Sequence, residues 1–125
     1  ADQGVALQPA VQRVVAVAAL KEILAGMQAL LGRWGCQVIT ASNGELAREL
    51  LQVHQPAVVL ADYHLADDED GLVLLKELAA GRAGALVTAD HTDEVANAVK
   101  AAGLSLLRKP VKPAALRAFL SAHAR

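Results

Sequence analysis

The chain has 125 residues, of which 54% are hydrophobic and 2% aromatic, and its formal net charge is −1. This length suits one domain that buries its own core, and the near-neutral charge excludes a protein drawn to nucleic acid or anionic membranes by its overall field. One cysteine, Cys36, excludes a disulfide framework or a thiolate zinc site, and no apolar run reaches the roughly 20 residues of a membrane span. Residues 1–12 lack the order of a signal peptide and are expected to be a disordered leader or cloning remnant, which leaves a domain at residues 13–125.

The first half of that domain predicts two strands and two helices. Residues 13–18 (RVVAVA) and 36–41 (CQVITA) are apolar runs of strand length. Between them, residues 20–34 repeat apolar side chains at helical spacing and are followed by a glycine, which favours a helix C-terminus there. A second helix is predicted at residues 45–54, after a capping turn that contains Asn43. Its inward side chains are expected to be Leu46, Leu50 and Val53.

The second half repeats the alternation of strand and helix three times. Strands are predicted at residues 58–62, 85–88 and 104–107, with a turn at residues 81–84 before the middle one. Helices are predicted at residues 72–80, at residues 94–102 and from Pro113 to about Leu120. Five strands that alternate with five helices predict an α/β fold: a doubly wound, five-stranded parallel sheet with helices on both faces and right-handed crossovers.

Chemically complementary side chains follow three successive predicted strands. Asp62 ends the third strand, Thr88 ends the fourth and Lys109 follows the fifth. Taken singly, each also suits a capping or solvated role, but the carboxyl ends of parallel strands meet at one edge, where open α/β sheets bind ligands. A carboxylate can attack phosphorus, an ammonium can pair with the phosphoryl oxygens, and a hydroxyl can donate a hydrogen bond to one of them. The pattern therefore favours a phosphoryl-transfer site.

With these residues in place, the predicted domain resembles the receiver domains of bacterial two-component response regulators. The resemblance rests on Asp62, on the Thr88-Ala89 pair and on Lys109-Pro110, whose peptide bond is usually cis in that family. It implies a flavodoxin-like (β/α)5 receiver fold. It also implies that Asp62 is the phosphoacceptor and that Thr88 and Lys109 are its catalytic neighbours.

Longer segments narrow the resemblance to the terminal receivers of hybrid sensor histidine kinases. These segments are LAGMQALLGRWGCQV, LADYHLADDEDGL, LVTADHTDE and LLRKPVKPAALRAFL. The resemblance implies a cytoplasmic phosphorelay domain without enzyme activity of its own. Its implied partner is a histidine kinase or phosphotransfer domain, or a second copy in a homodimer, and we expect no direct contact with nucleic acid or membrane.

The metal site implied by the resemblance is incomplete in this sequence. Receivers carry two acidic residues just after the first strand, which hold a Mg²⁺ beside the phosphoacceptor, and here Ala18 and Ala19 stand at those positions. Methyl groups cannot bind this cation, so Asp62 and the backbone carbonyl of His64 remain as metal ligands, with Glu22 nearby as a substitute. We therefore expect weak Mg²⁺ binding and slow or absent phosphorylation.

A second departure lies three residues before the lysine, where many receivers carry a Tyr or Phe whose rotamer follows the threonine. Leu106 stands there, so the usual coupling between these two side chains is not expected.

Three functions remain open at this point. Ala18 and Ala19 favour a degenerate receiver that signals by protein–protein interaction, whereas Asp62, Thr88 and Lys109 favour a competent phosphoacceptor. The third is a flavodoxin-like cofactor-binding protein or small enzyme, because a fold alone does not fix function. Against this third function, no glycine-rich phosphate-binding loop follows the first strand.

Overall fold

The computed structural model describes residues 13–65 and 69–122, so the predicted leader lies outside the described residues. The strands are β1 (Arg13–Val17), β2 (Gln37–Ala41), β3 (Val58–Asp62), β4 (Ala83–Thr88) and β5 (Ser105–Arg108). The helices are α1 (Lys21–Arg33), α2 (Gly44–His54), α3 (Gly71–Leu78), α4 (Asp93–Ala101) and α5 (Pro113–Ala122). In the described part of the chain, strands and helices thus alternate as predicted, with most boundaries shifted by one or two residues.

The five strands pair in parallel in the order β2–β1–β3–β4–β5, which confirms the predicted doubly wound sheet. The chain runs outward from β1 to β2 and then returns to the other side of β1 with β3. The carboxyl ends of β1 and β3 therefore flank the point of reversal, where such sheets open a crevice. Asp62 ends β3 at this crevice, beside Val87 in the sheet register.

The helices cover both faces of the sheet. On one face, α1 and α5 pack against alternate strand residues, and the buried helical side chains there are Leu24, Met27, Leu31, Leu116, Phe119 and Leu120. On the other face lie α2, α3 and α4, whose buried side chains include Ala47, Leu72, Leu74, Leu75, Leu78, Val95 and Val99. The strands alternate between the two clusters because successive side chains of a strand point to opposite faces. In the described parts of the chain, no helix is long and apolar enough to cross a bilayer.

The fourth strand begins two residues earlier than predicted, because Ala83 and Gly84 belong to β4 and not to a turn. A Cβ on Gly84 would lie 2.7 Å from Ala79 Cβ and 3.0 Å from Leu104 Cδ2. The missing side chain thus lets α3 and the start of β5 approach the strand closely. A glycine next to a turn suggests a loop in the sequence, but here it serves a close packing contact.

The inward face of α2 also differs from the prediction. Leu46 and Val53 are 36% and 73% exposed, whereas Ala47 is fully buried against the sheet. The rotation of the helix agrees with an ion pair on its flank, where Arg48 Nε lies 2.7 Å from Glu77 Oε2 of α3. Because Ala47 has a small side chain, the helix can pack close to the strands, which a periodicity of large apolar residues does not reveal.

Candidate functional site

Asp62 is one of two polar residues buried among the described side chains, with Thr88 the other. It is 3% exposed at the end of β3, where four buried apolar residues precede it. The two carboxylate oxygens have different partners. Oδ1 accepts a hydrogen bond from the backbone N–H of His64 at 3.3 Å, and Oδ2 accepts one from Lys109 Nζ at 2.9 Å.

Lys109 reaches Asp62 from the loop after β5. Its backbone N–H donates to the carbonyl oxygen of Thr88 at 2.8 Å, so the pairing of β4 with β5 continues one residue beyond the strand. The Lys109–Pro110 peptide bond is cis, as the resemblance implies. The Lys109 side chain is 30% exposed and that of Asp62 is 5% exposed. The ammonium therefore neutralises a carboxylate that water barely reaches.

Thr88 is fully buried, and its hydroxyl begins a series of hydrogen bonds along the loop between β4 and α4. Thr88 Oγ1 accepts from the backbone N–H of Asp90 at 2.9 Å, and Asp90 Oδ1 accepts from that of Thr92 at 2.8 Å. Thr92 is the N-cap of α4, where its own Oγ1 accepts from Val95 N at 3.4 Å. The hydrogen bond from Thr92 N–H lowers the pKa of Asp90. The Thr88 hydroxyl thereby orders the loop that leads into α4.

The loop between β3 and α3 is tied to its surroundings at two points. Gly71 N–H donates to the carbonyl oxygen of Tyr63 at 2.8 Å, and a Cβ on Gly71 would overlap the carbonyl oxygen of Asp62. Glu69 Oε1 accepts from the backbone N–H of Gly44 at the start of α2, at 3.1 Å. The segment after Asp62 is thus held against both its own strand end and the neighbouring helix.

The positions after β1 offer no side-chain oxygen. Ala18 is fully buried, and its backbone N–H donates to Ala41 O at 3.1 Å, whereas Ala19 and Leu20 are exposed. Glu22, the acidic side chain nearest in sequence, is exposed in the first turn of α1. In residues 13–65 and 69–122, no three His, Cys, Asp or Glu side chains are grouped so that they could hold a metal ion.

Leu106 lies in β5 opposite Leu86 and packs half-buried against the cluster on the α2–α4 face. It presents neither a ring nor a hydroxyl towards Thr88, so the structure offers no aromatic side chain at this position to follow the threonine.

The three predicted site residues therefore differ in how they contact one another. Asp62 and Lys109 are in direct contact, while Thr88 adjoins Lys109 through its backbone and directs its hydroxyl oxygen to Asp90. Their roles in phosphoryl transfer stay predictions. The bond between Thr88 and Asp90 was not predicted, although the spacing of Thr, Asp and Thr at every second residue is typical of local turn hydrogen bonds.

The family model of the response regulator receiver domain matches residues 14–121. Among solved structures, Vibrio cholerae chemotaxis protein CheY4 has a TM-score of 0.81 at 23% identity, covering 91% of this chain and 99% of that chain. The BeF3-activated receiver domain of Klebsiella pneumoniae RstA has a TM-score of 0.81 at 26% identity, with the same coverage of 91% and 99%. No curated protein matches the chain.

Proposed function

This chain belongs to the response regulator receiver domain family, and we propose that it signals through protein–protein contact, with phosphorylation of Asp62 slow or absent. The observation that carries the proposal is the direct pairing of Asp62 with Lys109, 2.9 Å apart, in a site where Ala18 and Ala19 supply only methyl groups. The family match also places the chain with receivers and not with flavodoxin-like cofactor-binding proteins.

Receivers generally bind Mg²⁺, and the donors that residues 13–65 and 69–122 offer around Asp62 do not fit that cation. Mg²⁺ requires near-octahedral coordination by oxygen and is reluctant to lose its waters. Asp62 would offer a carboxylate that already accepts hydrogen bonds from His64 and Lys109, and His64 would offer one backbone carbonyl. The side chains of Ala18 and Ala19 offer no oxygen ligand. The proposed function therefore requires no bound metal ion.

Without a metal ion, phosphoryl transfer to Asp62 would depend on the chain's own side chains. Transfer to Asp62 needs a carboxylate oxygen free to attack phosphorus and cationic groups free to neutralise the phosphoryl oxygens. In this site the Lys109 ammonium is already bound to Asp62, and the Thr88 hydroxyl oxygen already accepts from Asp90. An incoming phosphoryl group would have to compete with Asp62 for the Lys109 ammonium, whereas the bond that Thr88 Oγ1 accepts does not use the O–H donor of Thr88. Slow or absent phosphorylation follows from this competition.

The partner in this proposal is a histidine kinase or phosphotransfer domain, or a second copy of the chain, in the cytoplasm. The domain would fit at the end of a hybrid histidine kinase, where docking alone can position it. A competent phosphoacceptor is the second candidate, and it is favoured by one observation: Asp62, Thr88 and Lys109 all lie at neighbouring carboxyl ends of the sheet.

Intact mass spectrometry after incubation with acetyl phosphate or phosphoramidate and Mg²⁺ tests the proposal. We expect no mass gain in the wild type even at high Mg²⁺, and none in Asp62→Asn, the matched control. A phosphoryl adduct on the wild type that disappears in Asp62→Asn would overturn the proposal and establish the competent receiver. For a partner found by binding, we expect equal affinity for wild type and Asp62→Asn.

A further inference from the structure

Helix α2 begins against the loop that follows Asp62. Its first residue, Gly44, donates its backbone N–H to Glu69 Oε1 at 3.1 Å, although the two residues are 25 positions apart. The first N–H groups of a helix have no acceptor within the helix. Asn43, the N-cap, accepts from one of them, Leu46 N, at 2.8 Å, and Glu69 accepts from another. The start of α2 therefore depends on a side chain from the loop beside the carboxylate site.

Gly44 makes room for this carboxylate. A Cβ on Gly44 would lie 2.7 Å from Glu69 Oε1 and 2.9 Å from Glu69 Cδ, closer than real Cβ atoms approach other atoms. Gly44 is buried and its φ is not positive, so the glycine supplies space and not a special backbone conformation. The helix dipole also favours a negative charge at this end of α2. The Glu69 carboxylate thus occupies the place that a side chain at position 44 would fill.

The outer oxygen of the same carboxylate faces Arg48, one turn further along α2. Arg48 Nη2 lies 3.6 Å from Glu69 Oε2, and Arg48 also donates to both carboxylate oxygens of Glu77. An ion pair this long and this exposed is weak, so the bond to the Gly44 N–H is the stronger of the two contacts. The Glu69 side chain is 29% exposed. Two arrangements are therefore available to its carboxylate, one bound to α2 and one turned to water.

Hydrogen bonds also connect Glu69 to the carboxylate site. The Glu69 carbonyl oxygen accepts from Leu65 N–H at 3.3 Å, which brings the two ends of the loop side by side. The preceding N–H, that of His64, donates to Asp62 Oδ1 at 3.3 Å. Asp62 Oδ2 in turn accepts from Lys109 Nζ at 2.9 Å. A series of hydrogen bonds, joined by short stretches of backbone, therefore runs from the Lys109 ammonium to the first turn of α2.

We propose that Glu69 couples the Asp62–Lys109 pair to the start of α2, so that a change at either end alters the other without phosphoryl transfer. When Asp62 loses Lys109, its buried carboxylate keeps the His64 N–H, and the backbone that carries this N–H adjusts to it. The adjustment displaces Glu69, whose backbone is paired with the same segment, and weakens its bond to Gly44. Coupling between two sites is reciprocal, so a partner that contacts the start of α2 would also change the Asp62 site. This inference goes beyond the proposed function, because it holds whether or not Asp62 is phosphorylated.

Amide hydrogen exchange measured by NMR tests the coupling, with the Gly44 amide as reporter. The Leu46 amide, whose acceptor is Asn43, is the internal control. Both amides lie in the first turn of α2, so the ratio of their exchange rates cancels a general loss of stability. We expect Lys109→Met to raise the Gly44 to Leu46 ratio about two- to tenfold, the effect of losing one hydrogen bond. In the Glu69→Ala background, where the bond to Gly44 is already absent, Lys109→Met should change the ratio no further.

Two further variants separate this coupling from simpler explanations. Asp62→Ala removes the central acceptor of the hydrogen-bond series and leaves no unpaired buried charge, so it should raise the ratio as Lys109→Met does. Glu45→Gln removes a negative charge from the first turn of α2 but keeps Glu69, so the response to Lys109→Met should persist in it. An unchanged ratio in Lys109→Met or in Asp62→Ala would overturn the proposal. An equal response in Glu69→Ala, or a lost response in Glu45→Gln, would also overturn it. Phosphorylation is not measured in this test, so its outcome is independent of the proposed function.

Discussion

The Lys109 ammonium lies 2.9 Å from Asp62 Oδ2, and the two partners differ sharply in their access to water. The Asp62 side chain is 5% exposed and that of Lys109 is 30% exposed. A charge in the interior is costly unless it is paired, whereas a lysine at the surface can turn its ammonium to solvent. The ion pair therefore lowers the cost of burying the Asp62 carboxylate, whereas Lys109 could turn its ammonium to water and would lose little without the pair.

This asymmetry predicts unequal effects of the two single substitutions. Lys109→Met leaves a buried carboxylate whose one remaining partner among the described residues is the His64 N–H, so we expect it to lower the free energy of unfolding by about 2 to 4 kcal/mol. Asp62→Asn keeps the shape and lets Lys109 reach water, and should cost about 1 kcal/mol. Urea unfolding of the two variants measures both losses in the free energy of unfolding. In the double variant the two costs should not add, and equal costs for the single variants would contradict the asymmetry.

Restoring the acidic pair after β1 should make the stability of the domain depend on Mg²⁺. Ala18→Asp with Ala19→Asp places three carboxylates around one ammonium, so the variant should be less stable than wild type without the metal. Binding to the folded state then stabilises it, by about 1 to 3 kcal/mol at saturating Mg²⁺. The measurement is Tm with and without millimolar Mg²⁺, with NaCl at matched ionic strength as control. A Tm that responds to Mg²⁺ equally in wild type would contradict our interpretation of Ala18 and Ala19.

The parts of the site that could be predicted are those determined by local sequence. Asp62 ends an apolar run that has the length of a buried strand, and Lys109 follows another strand of the same sheet. Once the strands are known to be parallel, their carboxyl ends must share an edge. The position of both residues therefore follows from pattern alone, without knowledge of any side-chain contact.

The parts that could not be predicted depend on contacts between distant segments. The rotation of α2 follows from close packing at Ala47 and agrees with the pairing of Arg48 and Glu77, 29 residues apart. The link from Glu69 to Gly44 N–H likewise joins separate loops. A periodicity of apolar residues contains none of this information.

The hydrogen bond from Asp90 N–H to Thr88 Oγ1 gives a prediction for the loop before α4. Thr88→Val keeps the volume but removes the acceptor, and we expect a loss of about 1 kcal/mol in the free energy of unfolding. Amide hydrogen exchange should become faster at Asp90 and Thr92. Thr88→Ser is the control, because it keeps the hydroxyl and should leave exchange at these amides slow. Equally fast exchange in the serine variant would show that the methyl group, and not the hydroxyl, orders the loop.

Two glycines should respond in opposite directions to the same substitution. A Cβ on Gly71 would overlap the carbonyl oxygen of Asp62, so Gly71→Ala must displace the backbone and should cost about 1 to 3 kcal/mol. Gly32 in α1 has open space around it, and Gly32→Ala should add about 0.5 to 1 kcal/mol through helix propensity. Urea unfolding of the two variants measures both effects. A stable Gly71→Ala variant would show that the approach of α3 to the end of β3 is looser than described.

The ion pair between α2 and α3 predicts how stability changes with pH. Arg48 donates to both carboxylate oxygens of Glu77, at 2.7 and 3.0 Å, and these hydrogen bonds lower the pKa of Glu77 from its ordinary value of 4.5. Glu77 therefore takes up a proton less readily in the folded protein than in the unfolded chain. Its stabilising contribution is complete above the unfolded-state pKa and is lost as the pH falls through the lower folded-state pKa.

Glu77→Gln should accordingly be less stable than wild type near neutral pH, and the difference should shrink as the pH falls below 4.5. The effect should be small and should weaken with added salt, because both side chains are largely exposed. Urea unfolding across that pH range measures the difference between the two proteins. Glu49→Gln, an exposed substitution on the neighbouring helix α2, controls for the loss of a negative charge. A difference that stays constant down to the acid limit would mean that Glu77 contributes through packing and not through its charge.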